Sequence, residues 1–401
     1  MNSLFRRSSR LYSTMAASSN PASSPFTQAV VSSMRKLYPE SLADKSWDNT
    51  GLLLEAPFNA SRRQKNSVLL AIDLTKAVAD EAIARRDSIV VAYRTLFSIR
   101  PCSHSTSKLT HLSLVSRKHT DPIIFRGLKS LTFTDPQQQT LLRLASEGIS
   151  VYSPHTAIDA TPGGMADWLC DIVTGAIITP ATPTKPTLTQ SSSATYSHPV
   201  YPAPQPATQA TKVPKHTRHT ILPSPPPLPE GVEDTAGMGR IVTFTDPEPL
   251  TAIIDRIAQG VGFPGGIPIA IPQGASVDAL KIRTVGVCPG SGSGVLMKKS
   301  PIPDLLFTGE LSHHEALAAI ERGSVVVALA HSNTERGYLR AVMREKLAKE
   351  VEETWRVRRE EGLQQQKDAE GGLKEVFADG SCEVAVSEKD RDPYGIMVRQ
   401  G

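Results

Sequence analysis

His331 and Glu335 are the two residues whose types and spacing point most directly to chemistry. They stand four positions apart and follow the β-branched segment 324–329, which predicts a buried strand. Open α/β sheets bind ligands at the carboxyl ends of their strands, and residues four apart share one face of a helix. Imidazole and carboxylate donors together suit zinc, iron or manganese. The alternative is a surface His and Glu that lie near each other by chance.

A second cluster, at residues 152–159, also follows a predicted strand. Asp159 is a candidate to bridge two cations, and His155 is a candidate to ligate a metal or to hold an outer-shell hydrogen bond. Taken alone, a segment of this kind is more often a helix cap or a turn.

A third cluster, at residues 308–314, stands between a predicted strand and a predicted helix. Glu310 is its most informative residue, because a carboxylate beside a metal-bound water can act as general base. His313 and His314 follow it and are candidates to line the site, although the segment leaves room for one of them to face solvent. A glycine-rich turn at residues 289–294 has backbone N–H groups suited to cradle an anion, although it matches neither the dinucleotide nor the Walker fingerprint.

Alternating strands and helices must position these residues. In the first part of the chain, apolar periodicity predicts helices at 26–36, 74–85 and 136–148 and strands at 67–73, 88–93 and 149–152. In the second part it predicts strands at 284–287, 305–307, 324–329 and 382–386, a helix at 313–322 and a charged helical segment from 336 to 374. Strand, helix, strand order favours parallel pairing, so the predicted fold class is α/β.

The chain divides into a tail, two αβ halves and a linker. Residues 1–25 are predicted to be disordered, and their basic, serine-rich composition is typical of a mitochondrial transit peptide, with a disordered basic tail as the alternative. The first half spans 26–177, and the second spans 238–401 with a charged helical insertion at 340–375. Residues 178–237 are dense in Pro, Thr and Ser and are predicted to be a disordered linker.

Charge and cysteine usage narrow the class of protein. The net charge of +4 is spread along the chain, so direct nucleic-acid binding is not expected. The four cysteines stand far apart without a CxxC pair, which argues against a thiolate zinc site and a disulfide framework. No apolar run approaches the roughly 20 residues of a bilayer span, so no membrane contact is expected. The mitochondrion, the cytoplasm or both are the expected locations.

With these clusters assembled, the sequence resembles the Ngg-one-interacting factor three-like family, whose members are also called GTP cyclohydrolase 1 type 2 homologues. The resemblance runs in family order over residues 26–177 and 237–398. The segments that carry it are Trp-Asp-Asn-Thr-Gly-Leu-Leu at 47–53, Ala-Ile-Asp-Leu-Thr at 71–75, and those at 153–159, 308–315, 331–336 and 387–393.

The resemblance implies two similar αβ halves in a three-layer αβα arrangement, assembled as a homo-oligomer such as a hexamer, with a dinuclear metal centre in the cleft. It implies two divalent ions, zinc, iron or manganese, held by Asp159, His331 and Glu335, with Glu310 close to them. The remaining ligand of the family comes from a His-His-Pro or Tyr-His-Pro segment followed by an apolar pair and Phe.

The sequence departs from that pattern directly after Tyr93. Arg94 stands in the place of the ligand histidine, and the Pro-Ile-Ile-Phe run starts only at Pro122, beyond the shapeless segment 94–121. We hypothesise an unspliced intron, because the Arg94 codon accommodates a GT donor, the codons before Pro122 accommodate a CAG acceptor, and splicing would leave a histidine codon. If segment 94–121 is part of the protein, His119 is the nearest substitute ligand. The alternative is that the first metal-binding position is lost.

Two functional hypotheses follow. The leading one is a metal-dependent hydrolase of the cyclohydrolase type that acts on a nucleotide or a phosphorylated small molecule, with metal ions supplying hydroxide near neutral pH. The alternative is a non-catalytic metal-binding protein with an interaction or transcription-regulatory role. The linker and the charged helical segment suit contacts with protein partners, although a solvated surface is the plainer interpretation.

Overall fold

The computed structural model describes residues 23–46, 48–94, 131–176, 194–197, 213–262, 266–365 and 373–399. Residues 1–22 of the predicted disordered tail, His119 and almost all of the inserted segment lie outside the described residues. So does most of the linker. The end of the predicted tail is described, and Pro25 already belongs to a helix.

Every strand and helix that the periodicity predicts is present, most of them with shifted ends. The helices of the first part are α1 Pro25–Leu37, α2 Lys76–Arg85, α3 Pro136–Glu147, α4 Thr156–Ala160 and α5 Met165–Thr174, and its strands are β1 Gly51–Leu54, β2 Ser67–Asp73, β3 Ile89–Arg94, β4 Ser150–Ser153 and β5 Ala194–Ser197. The strands that follow are β6 His216–Pro223, β7 Gly237–Pro249, β8 Ile269–Ala270, β9 Lys281–Ser291, β10 Leu305–Glu310, β11 Val325–Ala328, β12 Glu383–Val386 and β13 Ile396–Arg399. The remaining helices are α6 Leu250–Gly260, α7 Ser293–Leu296, α8 His313–Glu321, α9 Arg336–Tyr338, α10 Arg344–Gln365 and α11 Leu373–Ala378.

The strands form two main sheets. The first has the order β1-β4-β3-β2-β12, and the second has the order β6-β7-β9-β10-β11-β8. Strands β4, β3, β2 and β12 run parallel to one another in the first sheet, as do β9, β10 and β11 in the second. Strands β1, β7 and β8 pair antiparallel with β4, β9 and β11. Parallel neighbours place several strand ends on one edge, which is where this fold class binds ligands. Strands β5 and β13 form a separate antiparallel pair.

Each sheet is covered by helices on both faces, because alternate residues along a strand point to opposite sides. In β2, Val68, Leu70 and Ile72 face a core shared with the second sheet, whereas Leu69 and Ala71 face α2 and α3. The shared core holds α1, α5, α6 and α10 between the two sheets. Helices α7 and α8 cover the outer face of the second sheet. The α/β class and the layered arrangement of two halves are therefore confirmed.

The prediction of a disordered linker at 178–237 is wrong for its C-terminal part. Strand β6 pairs antiparallel with β7 from His216↔Phe244 to Pro223↔Gly237 and forms the edge of the second sheet. Most side chains of β6 are half-buried or exposed, because the strand lies at an edge, so it carries almost no apolar alternation. The polar composition of this segment therefore gave no sign of a strand.

The predicted second half, 238–401, is also not one continuous unit. Strand β12 pairs parallel with β2, from Glu383↔Ser67 to Val386↔Leu70, so the end of the chain completes the first sheet. Only the local apolar pattern of β12 can be read from the sequence, and its partner lies more than 300 residues earlier.

The helix predicted for the charged insertion is present as α10, and it contributes to the core. Leu347, Val351 and Trp355 are almost fully buried at successive four-residue intervals. The Trp355 ring packs edge-on against Phe26, stacks on Phe377 and donates from Nε1 to the carbonyl of Asp379 at 3.1 Å. None of the helices among the described residues is both long and apolar enough to span a membrane.

We predict that Trp355→Ala lowers the free energy of unfolding by about 3–5 kcal/mol, because it leaves a cavity in the shared core and removes one of the two hydrogen bonds to the Asp379 carbonyl, the other coming from Asn66. Val357→Ala on the same helix is the control, since Val357 is 39% exposed and should cost less than about 0.5 kcal/mol. Denaturant unfolding followed by circular dichroism measures both. Equal losses of unfolding free energy in the two variants would show that α10 does not contribute to the core.

Candidate functional site

The carboxyl ends of parallel strands from both sheets border one cavity of about 840 Å³. Strands β3 and β4 border it from the first sheet, and β9 and β10 border it from the second. Six of the residues singled out from the sequence line it: Tyr93, His155, Asp159, Glu310, His331 and Glu335. The fold thus brings residues of all three predicted clusters to the same cavity.

His331 links the two acidic residues of the second half. Its Nδ1 lies 2.9 Å from Oε1 of Glu310, and its Nε2 lies 3.7 Å from Oε1 of Glu335. Glu335 is fully buried, whereas the Glu310 side chain is half exposed. The hydrogen bond with His331 holds the pKa of Glu310 below its usual range. Ala330, which precedes His331, has φ of 66°, a strained value for a non-glycine residue and one that tends to mark functional sites.

Asp159 and its neighbours form the opposite wall of the cavity. The Tyr93 hydroxyl lies 2.8 Å from both carboxylate oxygens of Asp159 and donates to the carboxylate. Asp159 is 5% exposed, and burial raises the pKa of its carboxyl to about 7. His155 starts helix α4 with a positive φ of 29°, and its Nδ1 lies 2.7 Å from Oδ1 of Asp48. The buried Asp48 also accepts the Thr156 backbone N–H at 3.1 Å.

Arg94 lies between these walls. Its guanidinium donates to Oε2 of Glu335 at 2.6 Å and lies 5.8 Å from the centre of the Tyr93 ring. The Arg94 side chain is only 7% exposed, so this is a buried ion pair. Its Nε has no hydrogen-bond partner among the described residues, and Oδ1 of Asp73 lies 3.9 Å away. Despite burial, Glu335 and Asp73 raise the pKa of the guanidinium, so Arg94 stays charged.

The residues present do not fit a dinuclear metal centre in this arrangement. The cavity offers imidazole and carboxylate donors, yet no group of three His, Cys, Asp or Glu side chains in the described part of the chain is placed to hold a metal ion. The physical reason is the guanidinium of Arg94, because it already occupies one oxygen of Glu335 with a positive charge. The ligand set of Asp159, His331 and Glu335 therefore stays a prediction.

Gly290 lets the turn after β9 approach these side chains. Its φ is +60°, and an added Cβ would lie 2.8 Å from Oε1 of Glu335 and 2.9 Å from Nε2 of His331. Only glycine accommodates both the backbone conformation and the close approach. The Gly290 N–H donates to Oγ1 of Thr334 at 2.9 Å, which fixes the turn against the segment that carries His331.

A buried ionic network supports the segment behind Glu335. Arg336 contacts Oδ2 of Asp73 and Oδ1 of Asp390, each at 2.5 Å, and donates from Nε to Ser332 at 2.9 Å. Ser332 in turn donates to Asp392. The network therefore ties the C-terminal segment 387–393 to the end of β2 and to the turn that starts at His331. The sequence contains all these residues, but their partners are far apart in the chain and were missed.

His313 and His314 do not reach the cavity. Ser312 and Glu315 form a capping box that starts α8, and both histidines are exposed on the first turn, with ring centres 5.5 Å apart. His119 lies outside the described residues. Cys288, which lines the cavity and is 2% exposed, was missed, although its place directly before the glycine-rich turn is a signal for it.

Comparison with known proteins identifies the class. The family model of Duf34/NIF3 (NGG1p interacting factor 3) matches residues 27–111 and 111–363. The chain is 38% identical over 317 residues to "Protein NIF3 homolog" of Schizosaccharomyces pombe, covering 79% of this chain and 86% of that protein. It is 33% identical over 320 residues to "NGG1-interacting factor 3" of Saccharomyces cerevisiae, covering 79% and 88%. The chain therefore belongs to the Duf34/NIF3 family.

A solved structure has the same fold. The Bacillus cereus protein related to NIF3 aligns with a TM-score of 0.54 at 18% identity, covering 92% of this chain and 98% of that one. At this identity the likeness concerns the fold alone, and it agrees with the two-sheet architecture described above.

We predict that Asp48→Asn destabilises the protein by about 1–3 kcal/mol at pH 7, because a charged acceptor of buried hydrogen bonds is lost. Burial opposes ionisation of Asp48, but the bonds from His155 and Thr156 outweigh it and hold the pKa of the carboxyl below its ordinary value of 3.8. A depressed folded pKa gives stability that is present above the unfolded pKa and lost as pH falls through the folded pKa. The difference between the two proteins should thus narrow below about pH 4. Urea unfolding at several pH values measures it, and a difference that grows toward low pH would contradict the assignment.

Proposed function

We propose that the cavity binds a nucleotide or a phosphorylated small molecule and that His331, with Glu310, promotes its hydrolysis. The observation that carries the proposal is the hydrogen bond of 2.9 Å between His331 Nδ1 and Glu310 at the cavity wall. It leaves Nε2 directed toward the side of the cavity where Glu335 lies, 3.7 Å away. The volume of about 840 Å³ falls within the range of small-molecule sites.

The chemistry open to these side chains is general acid–base catalysis. When Nδ1–H of His331 donates to Glu310, Nε2 is the basic nitrogen and can take a proton from a water in the cavity. Glu310 orients the ring and stabilises the charge that the ring gains. Tyr93 holds Asp159 on the opposite wall, where burial favours the protonated carboxyl.

The glycine-rich turn and Lys298 support the choice of a phosphorylated ligand. Ser291, Gly294 and Lys298 line the same cavity, and Lys298 is exposed at its rim. An ammonium group and polar turn atoms are the contacts that phosphate groups favour. Zinc, iron or manganese, as two ions, enter this proposal only for a form of the chain without the Arg94 guanidinium, since the present arrangement does not fit them.

A non-catalytic role is the second candidate. The Saccharomyces cerevisiae relative is called an NGG1-interacting factor, a name that describes that protein by its partner. A regulatory protein that binds the ligand without turning it over would use the same cavity and would contact its partner elsewhere. We also propose that the chain assembles as a homo-oligomer such as a hexamer. We propose that it resides in the mitochondrion, the cytoplasm or both.

We predict that His331→Ala lowers kcat/KM by on the order of 10²–10⁴-fold in a panel of nucleotides and phosphate esters, because it removes the base. Glu310→Gln should cost about 10–100-fold, because the ring loses its orienting charge. The matched control is His314→Ala, which removes an exposed imidazole outside the cavity and should leave turnover unchanged.

The panel should be run on the full chain with and without added Mn²⁺. Turnover that survives His331→Ala would contradict the catalytic role. Tight binding of a panel member without turnover would favour the non-catalytic candidate.

A further inference from the structure

We propose that Arg94 is a built-in cation that takes the place of a divalent metal ion in this cavity and excludes it. The inference rests on the site proposed above, but it concerns which cation the site holds rather than which reaction occurs there.

The cavity contains a local excess of acidic side chains. Asp159 and Glu335 are buried at 5% and 1% exposure on opposite walls of the cavity, and Asp73 lies beside Arg94. Buried carboxylates require a cation or a proton close by. Among the described residues that line the cavity, Arg94 is the one buried Lys or Arg, since Lys298 is exposed at the rim.

The Arg94 guanidinium neutralises the charge of these carboxylates only in part. It forms a 2.6 Å contact with one oxygen of Glu335, while its Nε has no hydrogen-bond partner in the part of the chain that the structure describes and Oδ1 of Asp73 lies 3.9 Å from it. The Asp159 carboxylate accepts its hydrogen bond from the Tyr93 hydroxyl. A native structural ion pair of this depth is usually satisfied at all its donors. Arg94 therefore acts here as a cation without matching every donor to an acceptor.

The Arg94 guanidinium competes with a divalent metal ion for the Glu335 carboxylate. A divalent ion bound by Glu335 would lie within a few ångströms of the guanidinium, and like charges at that distance in a buried site repel strongly. If position 94 carried an imidazole, the positive charge would be gone and a nitrogen donor would be added near His331, Asp159 and Glu335. Two imidazoles with two carboxylates are a ligand set that suits zinc, iron or manganese.

The test is zinc titration of the full chain and of three variants at position 94, followed by calorimetry and by thermal unfolding without substrate. Arg94→His removes the charge and adds a donor, Arg94→Met only removes the charge, and Arg94→Lys keeps the charge. We expect no specific zinc binding by the full chain or by Arg94→Lys. We expect roughly one or two ions per chain for Arg94→His, and binding by Arg94→Met that is weaker by on the order of 10–100-fold.

A rise in the unfolding temperature with zinc concentration should accompany binding in Arg94→His, because a ligand that binds only the folded state stabilises it. Manganese is the second probe. The circular dichroism spectrum checks that each variant is folded before titration. Stoichiometric zinc binding by the unmodified chain would overturn the proposal, and so would a folded Arg94→His variant that binds no more zinc than Arg94→Lys.

These outcomes are independent of the proposed hydrolysis, because they are read without a substrate. If the variants bind zinc as expected and no panel member is hydrolysed, the proposed function fails and the role of Arg94 stands. If hydrolysis depends on His331 but zinc binding is equal in all four proteins, the proposed function stands and the role of Arg94 fails.

Discussion

The ion pair of Arg94 with Glu335 joins the two sheets where their strand ends meet, and the surrounding structure is organised around it. Arg94 ends β3 of the first sheet, and Glu335 follows β11 of the second. Both side chains are almost entirely removed from water, so neither charge can be left without a partner. This constraint fixes the distance between the two walls of the cavity, because the guanidinium must reach the carboxylate from the opposite sheet.

The second set of charges, around Arg336, transmits that constraint to the rest of the chain. Arg336 holds the end of β2 through Asp73 and the C-terminal segment through Asp390. Asp390 also accepts the backbone N–H of Ile72 at 2.6 Å, so the same carboxylate fixes the strand and the arginine. As a result, His331 and Glu335 sit on a turn whose following residue is anchored in the other half of the molecule. Gly290 then brings the end of β9 close to the side chains of His331 and Glu335.

The sequence predicted the parts of this structure that depend on local pattern. Strands β2, β3 and β11 are buried on both faces, so each appears as a continuous apolar run. Tyr93 at the end of β3 and His331 after β11 line the cavity, as their position after a predicted strand suggested. The sequence could not predict pairings that depend on distant residues. Arg94 and Glu335 are 241 positions apart, β12 completes the sheet of the opposite half, and the edge strand β6 has too little apolar alternation to be seen. The prediction that His313 and His314 line the site was wrong for a related reason. The capping box that turns them outward depends on two side chains, Ser312 and Glu315, rather than on spacing alone.

The role of Arg94 is tested most directly by an X-ray structure of the full chain crystallised with zinc, with anomalous data collected at the zinc edge. We expect density for the Arg94 guanidinium against Glu335 and no anomalous peak in the cavity. An anomalous peak bound by Asp159, His331 and Glu335, with Arg94 displaced from the carboxylate, would contradict it.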